Sequence, residues 1–241
     1  MAKTILHAAE TRGHAQHGWL NTYHTFSFAN YHNRDRMHFG VLRVLNDDTV
    51  APKMGFGMHP HDNMEIITIP LNGELKHEDS MGNGSVIRYG DVQVMSAGTG
   101  IMHSEFNNSD HENVELLQIW VFPKQKEVTP RYDQISLTIA DQRNQLQQIL
   151  SPNANDAGVW IHQDAWFYVG LFDNDFSADY TIKQPGNGVY IFIIEGAANI
   201  EEQVLNKRDG IGIWDTQHIS ITATSPNTQI LVMDIPHDGL K

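Results

Sequence analysis

The sequence predicts an all-β protein made of two related antiparallel units in tandem. Short stretches rich in valine, isoleucine and aromatic residues alternate with glycine, asparagine and aspartate at intervals of roughly ten residues, which is typical of strands joined by tight turns. The same succession of strand, Glu-Gly or Asn-Gly turn, strand, and Gly-Asp or Asp-Gly turn occurs in both halves. We place the two units at residues 1–130 and 131–241.

In the first unit, apolar stretches mark the predicted strands. An extended aromatic segment at 25–29 comes first, and the strands follow at 41–45, 65–71, 75–78, 86–89, 92–95 and 114–122. Turn-forming pairs such as Asn72-Gly73 and Gly90-Asp91 separate them. Residues 124–138 are polar, and we predict that they form a connector between the units.

The second unit repeats this pattern after a short helical turn predicted between residues 139 and 149. Its predicted strands lie at 165–172, 188–196 and 229–234, and residues 208–213 resemble the turn at 89–92 of the first unit. The match in strand and turn order between the halves indicates that both units share one fold.

The composition limits the classes of function. A chain of 241 residues with 40% hydrophobic content is able to form a sizeable core. Its net charge of −13 argues against direct binding of nucleic acid or anionic membranes, which favour basic surfaces. No apolar run approaches the length of a membrane span, so a soluble cytoplasmic protein is expected. Because the chain has no cysteine, a metal site would use imidazole and carboxylate ligands.

Two short clusters carry the residues that suit a metal. His59 and His61 are two positions apart, as are His103 and Glu105. Residues two apart on a strand point to the same face, so two neighbouring strands would direct three imidazoles and one carboxylate to one point. This donor set suits a divalent transition metal and has too few oxygens for calcium or magnesium.

Glu65 is an alternative source of the carboxylate. It lies an even number of residues from His61, and on one continuous strand it would face the same way. The second unit has no comparable cluster, since residues 184–187 lack histidine and His218 stands alone. We therefore expect one metal site, in the first unit only.

Longer motifs surround these two clusters. Two stretches of the chain, Gly55 to Gly73 and Gly90 to Asn107, are similar to the two cupin motifs. Four further motifs are His24-Thr25-Phe26-Ser27-Phe28, His59-Pro60-His61, His77-Glu78-Asp79 and the segment 95–105. Together they resemble the pirin family of cupin proteins, and within it the bacterial pirin-like quercetin dioxygenases. The resemblance implies two cupin barrels (double-stranded β-helices, or jelly rolls) in tandem, with the metal in the N-terminal barrel. It also implies His59, His61, His103 and Glu105 as ligands, whereas a typical cupin would use Glu65.

The ligand set and the resemblance imply the same chemistry. Three histidines and one glutamate leave two positions open on a six-coordinate metal, and non-haem iron oxygenases use ligands of this kind. Glu105 would also act as a base. The resemblance implies quercetin 2,3-dioxygenase activity, in which a flavonol gives its 3-hydroxyl proton to Glu105 and its ring is cleaved by O2 with release of carbon monoxide. It implies iron(II), with copper, nickel, cobalt, manganese and zinc as alternatives.

Two other functions compete with the enzyme hypothesis. A purely structural metal is disfavoured because structural zinc sites are rich in thiolates. A metal- or redox-sensing regulatory protein is the stronger alternative, since eukaryotic pirins are described as transcriptional co-regulators. The acidic charge would then require a protein partner rather than nucleic acid. The resemblance implies a monomer.

Overall fold

The computed structural model describes residues 2–238, apart from the side chain of Ile139, and these residues form 22 strands and two short 3-10 turns. The turns are Ala9–Thr11 and Ile139–Gln142. The strands before residue 137 are β1 (Lys3–His7), β2 (Gly13–Gln16), β3 (Leu20–His24), β4 (Leu42–Val50), β5 (Gly55–His61), β6 (Glu65–Asn72), β7 (Glu74–Asp79), β8 (Gly84–Arg88), β9 (Asp91–Ser96), β10 (Ile101–Asn107), β11 (Val114–Val121) and β12 (Arg131–Ser136). The later strands are β13 (Leu146–Ser151), β14 (Val159–Trp160), β15 (Trp166–Phe172), β16 (Ser177–Thr181), β17 (Asn187–Glu195), β18 (Ala197–Ile200), β19 (Gln203–Asn206), β20 (Gly210–Trp214), β21 (His218–Ala223) and β22 (Thr228–Pro236). Within the described residues, no helix has the length and apolar character needed to cross a membrane.

Each half of the chain forms one large and one small sheet. The first half has a seven-stranded sheet in the order β12-β9-β6-β11-β4-β3-β2 and a four-stranded sheet in the order β5-β10-β7-β8. Leu20 and Val114 of the large sheet pack against Leu75 and Ile87 of the small sheet, which closes the first barrel. The second half repeats this arrangement with sheets β1-β20-β17-β22-β15-β13-β14 and β16-β21-β18-β19. The predicted all-β fold of two tandem cupin barrels is confirmed.

The two barrels meet through their large sheets. Ile67 and Ile119 from the first barrel lie in one buried apolar cluster with Phe192 and Met233 from the second. The large sheets are therefore covered on both faces, one by the barrel interior and one by the other barrel. This explains why β6 and β11 are almost continuously apolar in sequence and do not alternate.

The interiors of the barrels differ. Ile191, Ile213, Ile221 and Val232 belong to an apolar cluster that fills the second barrel. The first barrel has polar side chains in the corresponding region. Among residues 2–238, every group of three or more metal-ligating side chains that meets at one point lies in the first barrel.

The polar segment 124–138 is more than the connector predicted from the sequence. Its residues 131–136 form β12, which pairs antiparallel with β9 at the edge of the first barrel's large sheet. Because most of β12 is only half-buried, it does not need the apolar residues that mark an interior strand. The extended segment predicted at 25–29 is a loop that follows β3.

An exchange of edge strands links the barrels. The N-terminal strand β1 pairs with β20 of the second barrel, where Lys3 lies opposite Trp214 and His7 opposite Gly210. The Nδ1 atom of His7 is also hydrogen-bonded to the hydroxyl of Tyr190, at 2.9 Å. β12 follows residue 130 in sequence yet completes the first barrel's sheet. The division between residues 130 and 131 stays a prediction.

Asp47 joins the two barrels electrostatically, and we expect its replacement by asparagine to be destabilising. Its Oδ2 lies 3.0 Å from Arg12 Nη1 and 3.0 Å from Arg208 Nε, and all three side chains are largely buried. Asp47→Asn should lower the free energy of unfolding by about 3 kcal/mol, because it leaves two buried guanidinium groups without their counter-charge. Urea denaturation measures this change.

The matched control is the exposed ion pair between Lys207 Nζ and Glu195 Oε1, which are 2.6 Å apart. Glu195→Gln should change the free energy of unfolding by less than about 1 kcal/mol, because water screens the pair. If Asp47→Asn lowered the free energy of unfolding no more than Glu195→Gln does, the buried ion pairs would not stabilise the contact between the barrels.

Candidate metal centre

Strands β5 and β10 bring the three predicted histidines together. The strands are antiparallel neighbours in the small sheet, with His59 opposite His103 and His61 opposite Ile101. The ring centroid of His59 is 4.3 Å from that of His103 and 4.9 Å from that of His61. One ligand nitrogen from each of the three rings lies within 4.8 Å of the other two. We call this group the outer triad.

The fourth predicted residue, Glu105, lies in a different group. A register shift between His103 and Glu105 sets Glu105 opposite Phe56 on β5, while on the other side of β10 it faces His77 of β7. Its carboxylate therefore groups with ring nitrogens of His77 and His103, again within 4.8 Å of one another. His103 is common to this group and the outer triad.

Two side chains hold Glu105 in this position. Gln118 Nε2 donates hydrogen bonds to both carboxylate oxygens, at 3.1 and 3.2 Å, and Thr68 Oγ1 donates to Oε1 at 3.4 Å. Glu105 is only 3% exposed, and this burial raises the pKa of its carboxyl group to about 7 against the opposing effect of the two donors. The carboxyl group can therefore exchange a proton near neutral pH.

Gln118 and Thr68 belong to a polar row that the sequence analysis missed. The row crosses the large sheet in register, because Asn46 lies opposite Gln118, Gln118 opposite Thr68, and Thr68 opposite Gln93. Thr68, Gln93 and Gln118 each stand between two apolar residues of their strands. The sequence shows these polar residues, but their alignment in one row becomes apparent only when the pairing of the strands is known.

The histidines of the outer triad have the properties of metal ligands. His59 Nδ1 donates a hydrogen bond to the carbonyl of Gly57 at 2.8 Å, which leaves Nε2 as the nitrogen with a free lone pair. Neither ring nitrogen of His103 has a hydrogen-bond partner among the described residues. Burial lowers the pKa of His61 to about 4 and that of His103 to about 2, so both rings are neutral at physiological pH. Unpartnered neutral imidazoles beside a carboxylate fit a divalent transition metal.

Glu65, the alternative carboxylate, lies outside both groups. A turn separates β5 from β6, so its even spacing from His61 does not carry over from one strand to the next. Ser96 Oγ donates a hydrogen bond to its Oε2 at 2.6 Å. Burial raises the pKa of Glu65 to about 7, and the nearby Arg131 acts in the opposite direction. Glu65 therefore resembles Glu105 in burial and acidity but not in position.

A cavity of about 450 Å³ opens beside the outer triad. His61 stands edge-on to the ring of Trp120, with 4.9 Å between the ring centroids. Glu105 also lines the cavity, together with the polar side chains of Asp48, Asn46 and Gln118. The aromatic and apolar residues of the lining are Trp19, Phe28, Phe56, Ile66 and Trp120. The walls suit a flat aromatic molecule whose polar edge faces the histidines.

We expect the affinity for a divalent metal to increase with pH up to about 7. Below the raised pKa of Glu105 the carboxyl group is protonated and must lose its proton before it can bind a cation, whereas burial lowers the pKa of His61 and His103 and keeps both rings neutral. Each unit of pH below about 7 should therefore weaken binding by about tenfold. Calorimetric titration with nickel(II) between pH 5.5 and 8 measures this slope, and Glu105→Gln should flatten it. An unchanged slope in that variant would assign the proton to another group.

The fold and this cavity define the class of protein. Two tandem double-sheet barrels, one of them with a histidine-lined cavity and the other filled with apolar side chains, are a bicupin. Residues 6–121 match the pirin family, and residues 148–235 match the quercetinase C-terminal cupin domain.

The chain belongs to the pirin family. It is 44% identical over 231 residues to the quercetin 2,3-dioxygenase of Escherichia coli K12, a match that covers 96% of this chain and 98% of that protein. The crystal structure of YhhW from E. coli has a TM-score of 0.93 and 42% identity, and the match covers 99% of this chain and all of the other. The structure of the bacterial pirin YhhW in complex with nickel(II) has a TM-score of 0.92 and 42% identity and covers 97% and 99% of the two chains.

Proposed function

We propose that this protein is a metal-dependent dioxygenase that cleaves a flavonol such as quercetin with O2. His59, His61, His103 and Glu105 would hold one divalent metal, and Glu105 would also act as the base. The support comes from the histidine cluster, the buried glutamate with its raised pKa, and the family's quercetin 2,3-dioxygenases.

The observation that carries the proposal is that Glu105 and the three histidines line one cavity together with aromatic side chains. The cavity is large enough for a flavonol, and Trp19 and Trp120 belong to its lining. A flavonol that enters edge-first would stack against these rings and bring its 3-hydroxyl towards Glu105 and the histidines.

Each residue then has a defined task. The bound metal would supply a Lewis acid that favours the deprotonated flavonol and the redox chemistry with O2. Glu105 would take the 3-hydroxyl proton of the flavonol as the base. Gln118 and Thr68 keep the carboxyl group oriented through their hydrogen bonds. The walls of the cavity restrict the access of water. The balanced reaction consumes one flavonol and one O2 and gives the depside and carbon monoxide.

The metal that we propose is iron(II). Imidazole and carboxylate ligands with open positions are used by non-haem iron oxygenases. The nickel(II) complex of E. coli YhhW supports a divalent metal in the family and keeps nickel as an alternative, along with copper, cobalt, manganese and zinc.

The experiment is an aerobic turnover assay. Protein loaded with iron(II) under anaerobic conditions is mixed with quercetin and air, and both the loss of flavonol absorbance and the release of carbon monoxide are followed. Wild-type protein should show both, and His59→Ala should show neither. The absence of turnover by wild-type protein with every one of the metals named above would overturn the proposal.

A regulatory role with a protein partner is the second candidate. The observation that favours it is a set of exposed apolar side chains on the outer face of β5 and β10, where Met58 is 54%, Met102 38% and Phe106 38% exposed. Flexible methionines on a surface are suited to binding other proteins. Failure of the turnover assay together with a metal-dependent, stoichiometric complex with one partner would favour this role. The monomeric state and the cytoplasmic location stay predictions.

A further inference from the structure

His77 is a buried histidine that the proposed function leaves without a role. Its side chain has no exposed surface, and neither of its ring nitrogens has a hydrogen-bond partner among the described residues. Leaving a buried polar group unpartnered typically costs about 1–3 kcal/mol. Both nitrogens of the neighbouring His103 are also unpartnered. Each neutral ring has one nitrogen with a lone pair, and two such unpartnered lone pairs beside the carboxylate of Glu105 point to a bound cation.

The strands direct these atoms to one point. On β7 and β10, His77 lies opposite Glu105, and Asp79 lies opposite His103. One ligand atom each from His77, His103 and Glu105 lies within 4.8 Å of the other two. The three residues are 0%, 1% and 3% exposed, so this group lies deeper in the barrel than the half-buried His59 and His61.

A carboxylate is placed behind His77, as is common for metal-binding histidines. Asp79 Oδ2 lies 3.6 Å from His77 Nε2, which is too long for a hydrogen bond but close enough to orient the ring. Asp79 is itself held by the backbone N–H groups of Met81 and Asn83 and by the side chain of Asn83. The ring of Tyr132 packs against His77 with 4.9 Å between the ring centroids. The imidazole is therefore fixed in place although its nitrogens are free.

We propose that His77, His103 and Glu105 form an inner position for the same divalent transition metal, an alternative to the outer position at His59 and His61. We call these three residues the inner triad. Because His103 belongs to both triads, the two positions exclude each other and the protein binds one cation at a time. Glu105 would serve both positions, since Gln118 and Thr68 hold its carboxylate beside His103, the ligand common to both triads. This inference rests on the metal-binding part of the proposed function.

The test is metal binding by a protein that lacks the outer position. In the double variant His59→Ala/His61→Ala, the inner triad is complete. We expect wild-type protein and the double variant each to bind about one equivalent of cobalt(II), the double variant more weakly. Addition of His77→Leu to the double variant should remove binding. The matched control is addition of His24→Leu, which replaces a buried histidine outside both triads and should leave binding as in the double variant.

Crystallography gives a second readout that does not depend on the triple variant. Crystals of the double variant soaked with cobalt(II) should show one anomalous peak between His77, His103 and Glu105. A double variant that binds no cobalt(II), a peak elsewhere, or two equivalents bound at once by the wild type would overturn the inference. If the wild type binds cobalt(II) but the double variant does not, only the inner position fails. If both proteins bind cobalt(II) but the wild type shows no flavonol turnover, only the proposed function is contradicted.

Discussion

Replacement of His103 by alanine is expected to abolish both metal binding and flavonol turnover. His103 is the one residue shared by the outer triad and the group that contains Glu105, so its loss breaks both. We expect the metal affinity to fall by more than about 100-fold, because partners that merely orient a ligand already contribute 10- to 100-fold. Calorimetry with nickel(II) and metal analysis after dialysis measure this loss.

Loss of fold must be separated from loss of the ligand in this experiment. His103 is buried, so its truncation also leaves a cavity. His24→Ala is the control, because His24 is equally buried in the same barrel and its ring is hydrogen-bonded to Asn46, at 2.9 Å. It should lose comparable stability and still bind the metal. A His103→Ala protein that retains the metal and turnover would contradict the site proposed here.

Replacement of Glu105 by glutamine should have the second largest effect, a fall in kcat of about 10²- to 10⁴-fold, which is the usual contribution of a general base. Glutamine keeps a similar shape and an oxygen donor but cannot accept the proton of the flavonol. Because the metal affinity is also expected to fall, the rate must be expressed per bound metal. Stopped-flow measurement of the loss of flavonol absorbance gives this value.

Glu65→Gln is the matched control for this substitution. Burial raises the pKa of both carboxyl groups to about 7, but Glu65 is hydrogen-bonded to Ser96 and lies outside the metal-ligating groups. We expect Glu65→Gln to keep the rate per bound metal within about threefold of wild type, because Glu65 lies outside the metal-ligating groups. A tenfold change in rate would need a change of about 1.4 kcal/mol in the activation free energy. If Glu65→Gln lost activity and Glu105→Gln retained it, the carboxylate would have been assigned to the wrong residue.

Much of the fold follows from sequence periodicity. Turns such as Asn72-Gly73 and Gly90-Asp91 lie where they were predicted, and each carries the chain from one sheet of the first barrel to the other. The histidine pair was also predictable, because His59 and His61 are on a single strand and the spacing of two has a fixed meaning there. These features depend only on neighbours in the chain.

The features that could not be predicted depend on how separate strands pair. A register shift after His103 sets Glu105 opposite Phe56 on β5, while the unbroken pairing of β10 with β7 sets it opposite His77, and no local pattern in the sequence announces either. The spacing argument for Glu65 failed because a turn intervenes. β12 escaped detection because an edge strand needs little apolar surface. Periodicity within a single strand reveals neither a break between strands nor the position of a strand in its sheet.

The pairing of β1 with β20 has a consequence for the order of folding. Lys3 and Trp214 are partners although more than two hundred residues separate them, so the first strand made by the ribosome has no partner until nearly the whole chain has emerged. Closing such a long loop slows folding. During synthesis, β1 would remain open to other chains or to chaperones. We expect a chain without residues 2–7 to expose the edge of β20 and to assemble in the wrong way during refolding, even though its metal ligands are intact.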